Sequence, residues 1–386
     1  MTASAQASQN YAAAFGVKIE RGQLLKALAH VQSVVERRNT IPVLGNVKLE
    51  AGGGQLRLTA TDMDIAVVET VAADTQNSGV TTAPAHTFYD IVRKLPEGSE
   101  IELTTEPEKG LLTIKAGKSR FSLSCLPAED FPQLEKGEFS HEFTLAAAEA
   151  VALLDKCRFA ISTEETRYYL NGIYIHAAGS EDAPVLRAVA TDGHRLARIE
   201  VGLPAGAAGM PGVILPRKAV GELRKLIEEA GGEVQVSVSK TKMRFLAGNA
   251  SLVTKLIDGT FPDYERVIPQ GNDKLAEIET AKFAEAIDRV ATITSEKTRA
   301  IRLVFEQGNL NLSASSPEQG TATESLEITY SADSVDIGFN SRYLLDVMAQ
   351  IDGDSVQFQL ADASSPALVR DPAEVGALYV VMPMRI

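Results

Sequence analysis

The chain has 386 residues, of which 45% are hydrophobic and 23% charged, and its formal net charge is -13 at pH 7. This composition is typical of a globular protein, and the length predicts two or three domains rather than one. The negative charge excludes a uniformly basic surface that coats nucleic acid, so binding to DNA would need basic residues gathered locally.

The amino terminus, residues 1–14, has no feature of a targeting segment. It is polar and alanine-rich and lacks the basic start and apolar run of a secretory signal, so we expect a short disordered extension. No run of about 18 to 20 apolar residues follows that would span a membrane. The two cysteines, Cys125 and Cys157, are too few for a disulfide framework or a cysteine-rich metal site, which favours a reducing cytoplasm and thiols packed as small hydrophobic groups.

One pattern occurs three times along the chain. The segment Leu56–Thr61 returns as Leu186–Thr191 and again as Leu310–Ser315, at offsets of 130 and 124 residues. A second anchor precedes each copy in the same order, at Asn39-Thr40, Glu165-Thr166 and Lys297-Thr298. Ordered anchors at nearly constant spacing predict three copies of one structural unit.

Each copy combines helical and strand periodicity. Apolar residues at helical spacing predict a first helix in each copy, around 24–31, 151–154 and 283–290. A second helix is predicted at 88–95, 219–230 and 343–351, each followed by a turn and an alternating strand. The fold class is therefore α+β, with three domains of two helices against antiparallel sheet, at residues 15–139, 140–272 and 273–386.

No constellation of catalytic residues emerges from the sequence. The five histidines are not at metal-ligand spacing, which argues against a zinc centre: His30, His86, His141, His176 and His194. Gly117-Lys118-Ser119 resembles the end of a phosphate-binding loop, but Leu112 replaces the required glycine and the flanks read as strands. Paired acids such as Glu164-Glu165 are more typical of a solvated surface than of acid–base catalysis. The sequence favours binding over chemistry, with no cofactor.

Several motifs resemble those of the bacterial DNA polymerase III beta subunit, the beta sliding clamp family. They cover the chain after about residue 15 and follow the order of the family: Ile41–Asn46, Arg167–Gly172, Ala190–Ala197, Phe261–Val267 and Tyr379–Ile386. The resemblance implies a non-enzymatic processivity factor in which two chains join head to tail and six domains close a ring around duplex DNA. It also implies a clamp loader, the replicative polymerase and repair proteins as partners, with no membrane.

The resemblance places helices along the inside of this ring, where basic side chains would attract phosphates without reading sequence. Arg38 matches a DNA-contacting arginine of the family. The further candidates on the helices are Lys26, Arg93, Lys94, Lys156, Arg158, Arg217, Lys218, Arg224, Lys225, Lys282, Arg289 and Arg342. An ordinary solvated helix face is the alternative for each of them.

The family also holds short peptides of partner proteins in a pocket on its second and third domains. Carried over to this chain, the pocket comprises Leu170, Thr191, Gly193, His194, Arg195, Leu196, Pro262, Arg266, Val267, Val380, Val381, Met382, Pro383, Met384 and Arg385. Methionines and small aliphatic residues give an adaptable surface that suits many partners. A terminal strand closing the third domain is the alternative for 380–384, and both can hold because a strand has two faces.

Subunit closure is expected to pair an edge strand of the first domain, residues 119–126, with the third domain of a second chain. The resemblance assigns Arg120, Phe121, Ile293, Glu318 and Glu324 to this interface. Two other readings stay open at this point. A repeat-built scaffold could bind peptides without surrounding DNA, and an enzyme could use a site that no motif reveals.

Overall fold

A computed structural model describes residues 15–133, 137–295 and 299–385. The predicted extension 1–14, the anchor Lys297-Thr298 and the last residue of the Tyr379–Ile386 motif lie outside this part of the chain. In the described residues the helices are α1 Arg21–Gln32, α2 Ala85–Lys94, α3 Ala147–Arg158, α4 Arg217–Ala230, α5 Thr280–Ala291 and α6 Ser341–Met348. Each predicted helical segment overlaps one of them, which confirms two helices per repeat.

The strands account for most of the remaining regular structure. Those up to residue 146 are β1 Gly16–Glu20, β2 Asn46–Gly52, β3 Gln55–Thr61, β4 Ile65–Ala72, β5 Asp74–Asn77, β6 Gly79–Pro84, β7 Glu100–Glu106, β8 Leu111–Ala116, β9 Ser119–Ser124 and β10 His141–Ala146. The next are β11 Gly172–Gly179, β12 Pro184–Thr191, β13 Arg195–Gly202, β14 Val213–Pro216, β15 Glu233–Val238, β16 Lys242–Ala247, β17 Ala250–Lys255 and β18 Lys274–Glu279. The last are β19 Ala300–Glu306, β20 Asn309–Ser316, β21 Gly320–Glu327, β22 Val335–Asn340, β23 Ser355–Leu360, β24 Ala367–Arg370 and β25 Ala377–Val381.

The described strands form antiparallel sheets in two compact units. The first unit takes in residues up to Ala147 together with Gly221–Lys255. It contains a sheet of order β5-β1-β7-β8-β9 and a larger one of order β10-β15-β16-β17-β4-β3-β2-β6. The second unit is Ala148–Val220 with Leu256–Ile386, and its sheets run β14-β11-β12-β13-β25-β24-β23-β18 and β21-β20-β19-β22.

These units do not follow the repeats, because strands of successive repeats pair with each other. In the first unit β4 pairs with β17, which belongs to the second repeat. In the second unit β13 pairs with β25 from the end of the third. The predicted division at 139/140 and 272/273 therefore stays a prediction about repeats rather than about compact units.

Apolar side chains at helical spacing attach the helices to the sheets. Leu24, Leu28 and Val31 of α1 are fully buried, as are Phe283 and Ile287 of α5. Their i, i+4, i+7 spacing puts them on one face of each helix, which is the face that packs against the sheet. Burial of each such side chain stabilises the fold by about 1.5 to 3 kcal/mol.

Candidate functional sites

The turn between β12 and β13 is built by its own side chains. Thr191 Oγ1 accepts the Gly193 N–H at 3.1 Å and donates to the Arg195 carbonyl at 2.7 Å. Asp192 Oδ1 accepts the N–H groups of His194 at 2.9 Å and Arg195 at 3.1 Å. Gly193 has a φ of +90°, and a Cβ there would lie 2.7 Å from Arg167 Nη1. Glycine adopts this φ without strain, and a larger residue here would also displace the Arg167 side chain.

Arg195 occupies the base of the turn, and its guanidinium is fully engaged. Nε donates to Asp192 Oδ2 at 3.1 Å, Nη1 to Asp346 Oδ2 at 2.5 Å, and Nη2 to the Phe159 carbonyl at 2.7 Å. The guanidinium carbon also lies 4.5 Å from the centroid of the Tyr343 ring. With 9% of its surface exposed, Arg195 holds neighbouring groups in place and has little surface left for a ligand.

The C-terminal segment runs beside this turn. In the β13–β25 pairing, Arg195 faces Val381 and Leu196 faces Val380, and both valines are buried. Beyond the strand, the Met382 N–H donates to the His194 carbonyl at 2.9 Å, and the Met384 N–H donates to the Gly338 carbonyl at 2.9 Å. The segment from Met382 is thus attached at two points, while Met382 keeps 40% of its surface exposed.

The predicted pocket residues divide into a buried floor and an exposed rim. The floor is one buried hydrophobic cluster that includes three predicted residues, Leu170, Leu196 and Val380. Its other members are Val189, Ile214, Phe261, Tyr264, Ile268, Leu368 and Leu378. The exposed predicted residues include Pro262, Val267 and Arg266, whose Nε lies 2.7 Å from Asp263 Oδ2. Leu170, Leu196 and Val380 therefore bring the second and third repeats together in a single core.

Several neighbours of the turn were missed from the sequence. Arg167 reaches the turn, since its Nη1 lies 3.5 Å from the Asp192 carbonyl, and the next residue, Tyr168, is 54% exposed. The signal for both was their place in the Arg167–Gly172 motif. Tyr343 stacks on His194 with ring centroids 6.1 Å apart. Tyr343 and Asp346 gave no signal, because only folding brings α6 to a turn some 150 residues earlier.

The predicted DNA-contacting residues are mostly exposed and many have an acidic neighbour. Arg93 lies 3.0 Å from Asp90, Arg158 lies 3.3 Å from Asp155, and Lys225 lies 3.0 Å from Glu222. Lys26 Nζ is 3.6 Å from Glu229, and Arg224 pairs with Glu228. Arg38, Lys94 and Arg217 are exposed, while Lys218 is half-buried. These acids weaken the positive potential of the helices.

Lys156 does not fit the role predicted for it. Its side chain is 11% exposed, and Nζ lies 2.7 Å from Asp352 and 3.4 Å from Glu374. It also donates to the Gln350 carbonyl at 2.5 Å. A buried ammonium needs such partners to offset its desolvation, so the contact with DNA proposed for Lys156 is withdrawn.

The predicted interface residues lie on or near the terminal strands of two sheets. β9 carries Arg120, which is 64% exposed and 3.1 Å from Glu106, and Phe121, which is 37% exposed. β21 carries Glu324, held by Arg289 at 2.6 Å, and this arginine lowers the pKa of Glu324. Glu318 is exposed in the preceding turn, and Ile293 is half-buried just after α5. Arg289, a predicted DNA contact, is thus also a neighbour of the predicted interface residue Glu324.

Gly117, Lys118 and His30, which the sequence offered as candidates for nucleotide or metal binding, lie in a turn and in a buried ion-paired cluster. Gly117 and Lys118 form the turn between β8 and β9, as the strand-like flanks predicted. His30 is buried between Glu69, which its Nδ1 contacts, and Glu229 at 3.0 Å. Burial alone would lower the pKa of His30, but the hydrogen bond and charge of Glu69, with Glu229, raise it above its usual value.

Neither thiol is activated in the structure. Cys157 is buried and Cys125 is half-buried, and burial raises the pKa of both thiols. Among residues 15–133, 137–295 and 299–385, no three His, Cys, Asp or Glu side chains are placed to hold a metal ion. In the same ranges no helix combines the length and apolar character of a membrane span.

Comparison with known proteins identifies the family. The models of the N-terminal, central and C-terminal domains of the DNA polymerase III beta subunit match residues 15–135, 144–263 and 265–385 in turn. The beta sliding clamp of Caulobacter vibrioides is 51% identical over 368 residues, covering 95% of this chain and 99% of the relative. That of Escherichia coli K12 is 40% identical over 371 residues, covering 95% and 99%.

Solved structures agree with this assignment. The sliding clamp of Bartonella birtlesii bound to griselimycin has a TM-score of 0.94 and 48% identity, covering 97% of this chain and 100% of that one. Each of the three matched segments corresponds to one of the three α+β repeats predicted from the sequence. The chain belongs to the DNA polymerase III beta subunit family, the bacterial beta sliding clamps.

Proposed function

We propose that two copies of this chain join head to tail into a ring around duplex DNA, in the cytoplasm, and hold the replicative polymerase on it. The clamp is a binding protein without catalytic chemistry of its own. A clamp loader opens the ring, and polymerase and repair proteins then share it. The three successive clamp domains carry this proposal, because two such chains supply six similar units and two identical interfaces can close a circle.

The proposed interface joins β9 of one chain to β21 of its partner. Both are terminal strands of their sheets among the described strands, and such strands offer free N–H and C=O groups to a partner strand. Phe121 on β9 adds an exposed aromatic side chain. Edge pairing around an aromatic anchor gives a head-to-tail contact, since the two surfaces are different.

DNA in this proposal is retained by enclosure rather than by tight contact. The basic residues proposed to face it are Lys26, Arg38, Arg93, Lys94, Arg158, Arg217, Lys218, Arg224 and Lys225. Phosphate contacts carry no sequence information. Acidic neighbours such as Asp90 and Glu222 keep each contact weak, which permits sliding.

Partner proteins are proposed to bind at the turn Thr191–Leu196 and the segment Val380–Arg385. The buried floor fixes the backbone of both elements, and the exposed rim of Pro262, Val267 and Met382 offers apolar contacts. Met384 and Pro383 continue this surface along the C-terminal segment. A short extended peptide matches such a narrow apolar strip beside a strand end.

The ring requires a dimer, so the mass of the assembly tests it. We expect size-exclusion chromatography with light scattering at micromolar concentration to give twice the chain mass of 41.3 kDa. A stable monomer at that concentration would rule out a ring closed by two chains. It would leave the peptide-binding scaffold as the better reading.

A further inference from the structure

The chain contains a second turn with the same construction as the proposed peptide-binding turn. Between β3 and β4, Thr61 Oγ1 accepts the Met63 N–H at 3.0 Å and donates to the Ile65 carbonyl at 2.8 Å. Asp62 Oδ1 accepts the N–H groups of Asp64 and Ile65 at 2.9 and 2.8 Å. Even the positive φ is shared, since Met63 has a φ of 82°.

The pairing beyond each turn also corresponds. In the first unit the Lys255 N–H donates to the Asp64 carbonyl at 2.8 Å. In the second, the Met382 N–H donates to the His194 carbonyl at 2.9 Å. The two turns are therefore equivalent members of the repeat, and each serves as an internal control for the other.

The position that differs most in chemistry is the base of the turn. Ile65, which is 3% exposed, stands in the first repeat where Arg195 stands in the second. Because the first turn forms all its hydrogen bonds with isoleucine, the guanidinium is not needed to build the turn. Arg195 must therefore have a role that is specific to the second turn.

The hydrogen bonds of Arg195 indicate its role in the second turn. Its Nη1 donates to Asp346 on α6, and its Nε donates to Asp192 at the start of the turn. A chain of charged hydrogen bonds thus runs from a helix of the third repeat to a turn of the second. Such bonds are about twice as strong as neutral ones, so they fix the distance between helix and turn.

We propose that Asp346 is a positioning residue for the peptide pocket, holding the turn Asp192–His194 in its binding position through Arg195. This inference rests on the proposed peptide-binding function and names a residue outside the predicted pocket. Asp346 has a second cationic neighbour, Arg342, at 3.9 Å. Arg195 at 2.5 Å is the closer partner and the one that reaches the turn.

The contribution of Asp346 to α6 itself is small. Asn340 caps the helix by accepting the Arg342 N–H at 3.0 Å, and Leu344, Val347 and Met348 bury its apolar face. The Asp346 side chain is 32% exposed, and partly exposed ion pairs add little to folding stability. A change at Asp346 should therefore move the turn without unfolding the helix.

The test is Asp346→Asn, which keeps the shape and removes the charge, with griselimycin as the probe in calorimetric titration. We expect affinity to fall about tenfold, which corresponds to about 1.4 kcal/mol, since a neutral amide binds the guanidinium more weakly than a carboxylate does. The thermal midpoint should drop by no more than about 4 °C. Asp346→Glu, which restores the carboxylate, should recover most of the affinity.

Asp64→Asn is the matched control. Asp64 pairs with Lys255 at 3.1 Å in the equivalent turn, so this variant also loses one carboxylate charge and one ion pair. Griselimycin affinity should be unchanged. An equal loss in Asp64→Asn and Asp346→Asn would mean a general charge effect and would overturn the proposal.

A double variant tests whether Asp346 acts through Arg195. If it does, Asp346→Asn should weaken binding less than twofold further in an Arg195→Gln background. Multiplicative losses would show an independent role and overturn the proposal. If the wild type fails to bind griselimycin, the proposed peptide-binding function fails; if it binds and Asp346→Asn binds equally, only the positioning role fails.

Discussion

Removal of Met382–Ile386 should weaken binding of griselimycin or of a partner peptide by about 100-fold or more, because the segment supplies apolar anchors of the proposed pocket. It should leave the dimer intact, since the backbone bond of the segment, from Met384 to Gly338, is to β22, at the opposite end of the sheet from the proposed interface strand β21. Strand β25 ends at Val381, so the third domain keeps its buried terminal strand. Calorimetric titration and light scattering measure the two properties separately.

Two variants refine this result. Met384→Ala removes one apolar side chain and should cost a smaller part of the affinity than the truncation. Val375→Ala is the control, because Val375 is 87% exposed just before β25 and has no place in the proposed pocket. Unchanged peptide affinity after the truncation would show that the pocket is wrongly assigned.

Phe121→Asp should convert the dimer to monomer, raising its dissociation constant by about 100-fold or more. A carboxylate at the centre of an interface is desolvated without a partner, and the aromatic contact is lost at the same time. Dilution in analytical ultracentrifugation measures the change directly. The folded chain should persist, since Phe121 is 37% exposed in the single chain.

Leu246→Asp is the matched control for this variant. Leu246 is 38% exposed, close to the value for Phe121, but it lies on β16, between β15 and β17 in the interior of a sheet. The dimer should survive this substitution. Equal dissociation of both variants, or a dimer that tolerates Phe121→Asp, would remove β9 from the interface.

Local patterns were enough to predict the repeated elements. Apolar spacing in α1 and α5 indicated the buried faces that the structure has, because helix period and burial are set by nearby residues. Helix ends were less accurate. The second helix of the third repeat was predicted at 343–351, whereas α6 is Ser341–Met348. Asn340, a common N-cap residue, was the overlooked signal for its start.

The site could be predicted only in part. The turn itself is readable from the sequence, because an aspartate followed by a glycine, as at Asp192-Gly193, favours a tight turn. The roles of Lys156 and Arg195 could not be predicted, since their partners Asp352 and Asp346 lie 196 and 151 residues away along the chain. Whether a basic side chain faces solvent or pairs with a carboxylate depends on such distant contacts.

Retention on DNA tests the ring most directly. The protein is loaded by a clamp loader with ATP onto a nicked circular duplex, washed in high salt to remove contacts with phosphates, and the circle is then cut once with a restriction enzyme. The account predicts that the clamp remains on the intact circle through the wash and leaves after the cut, because enclosure alone holds it. Equal retention on circular and linear DNA, or loss from both in the wash, would contradict it.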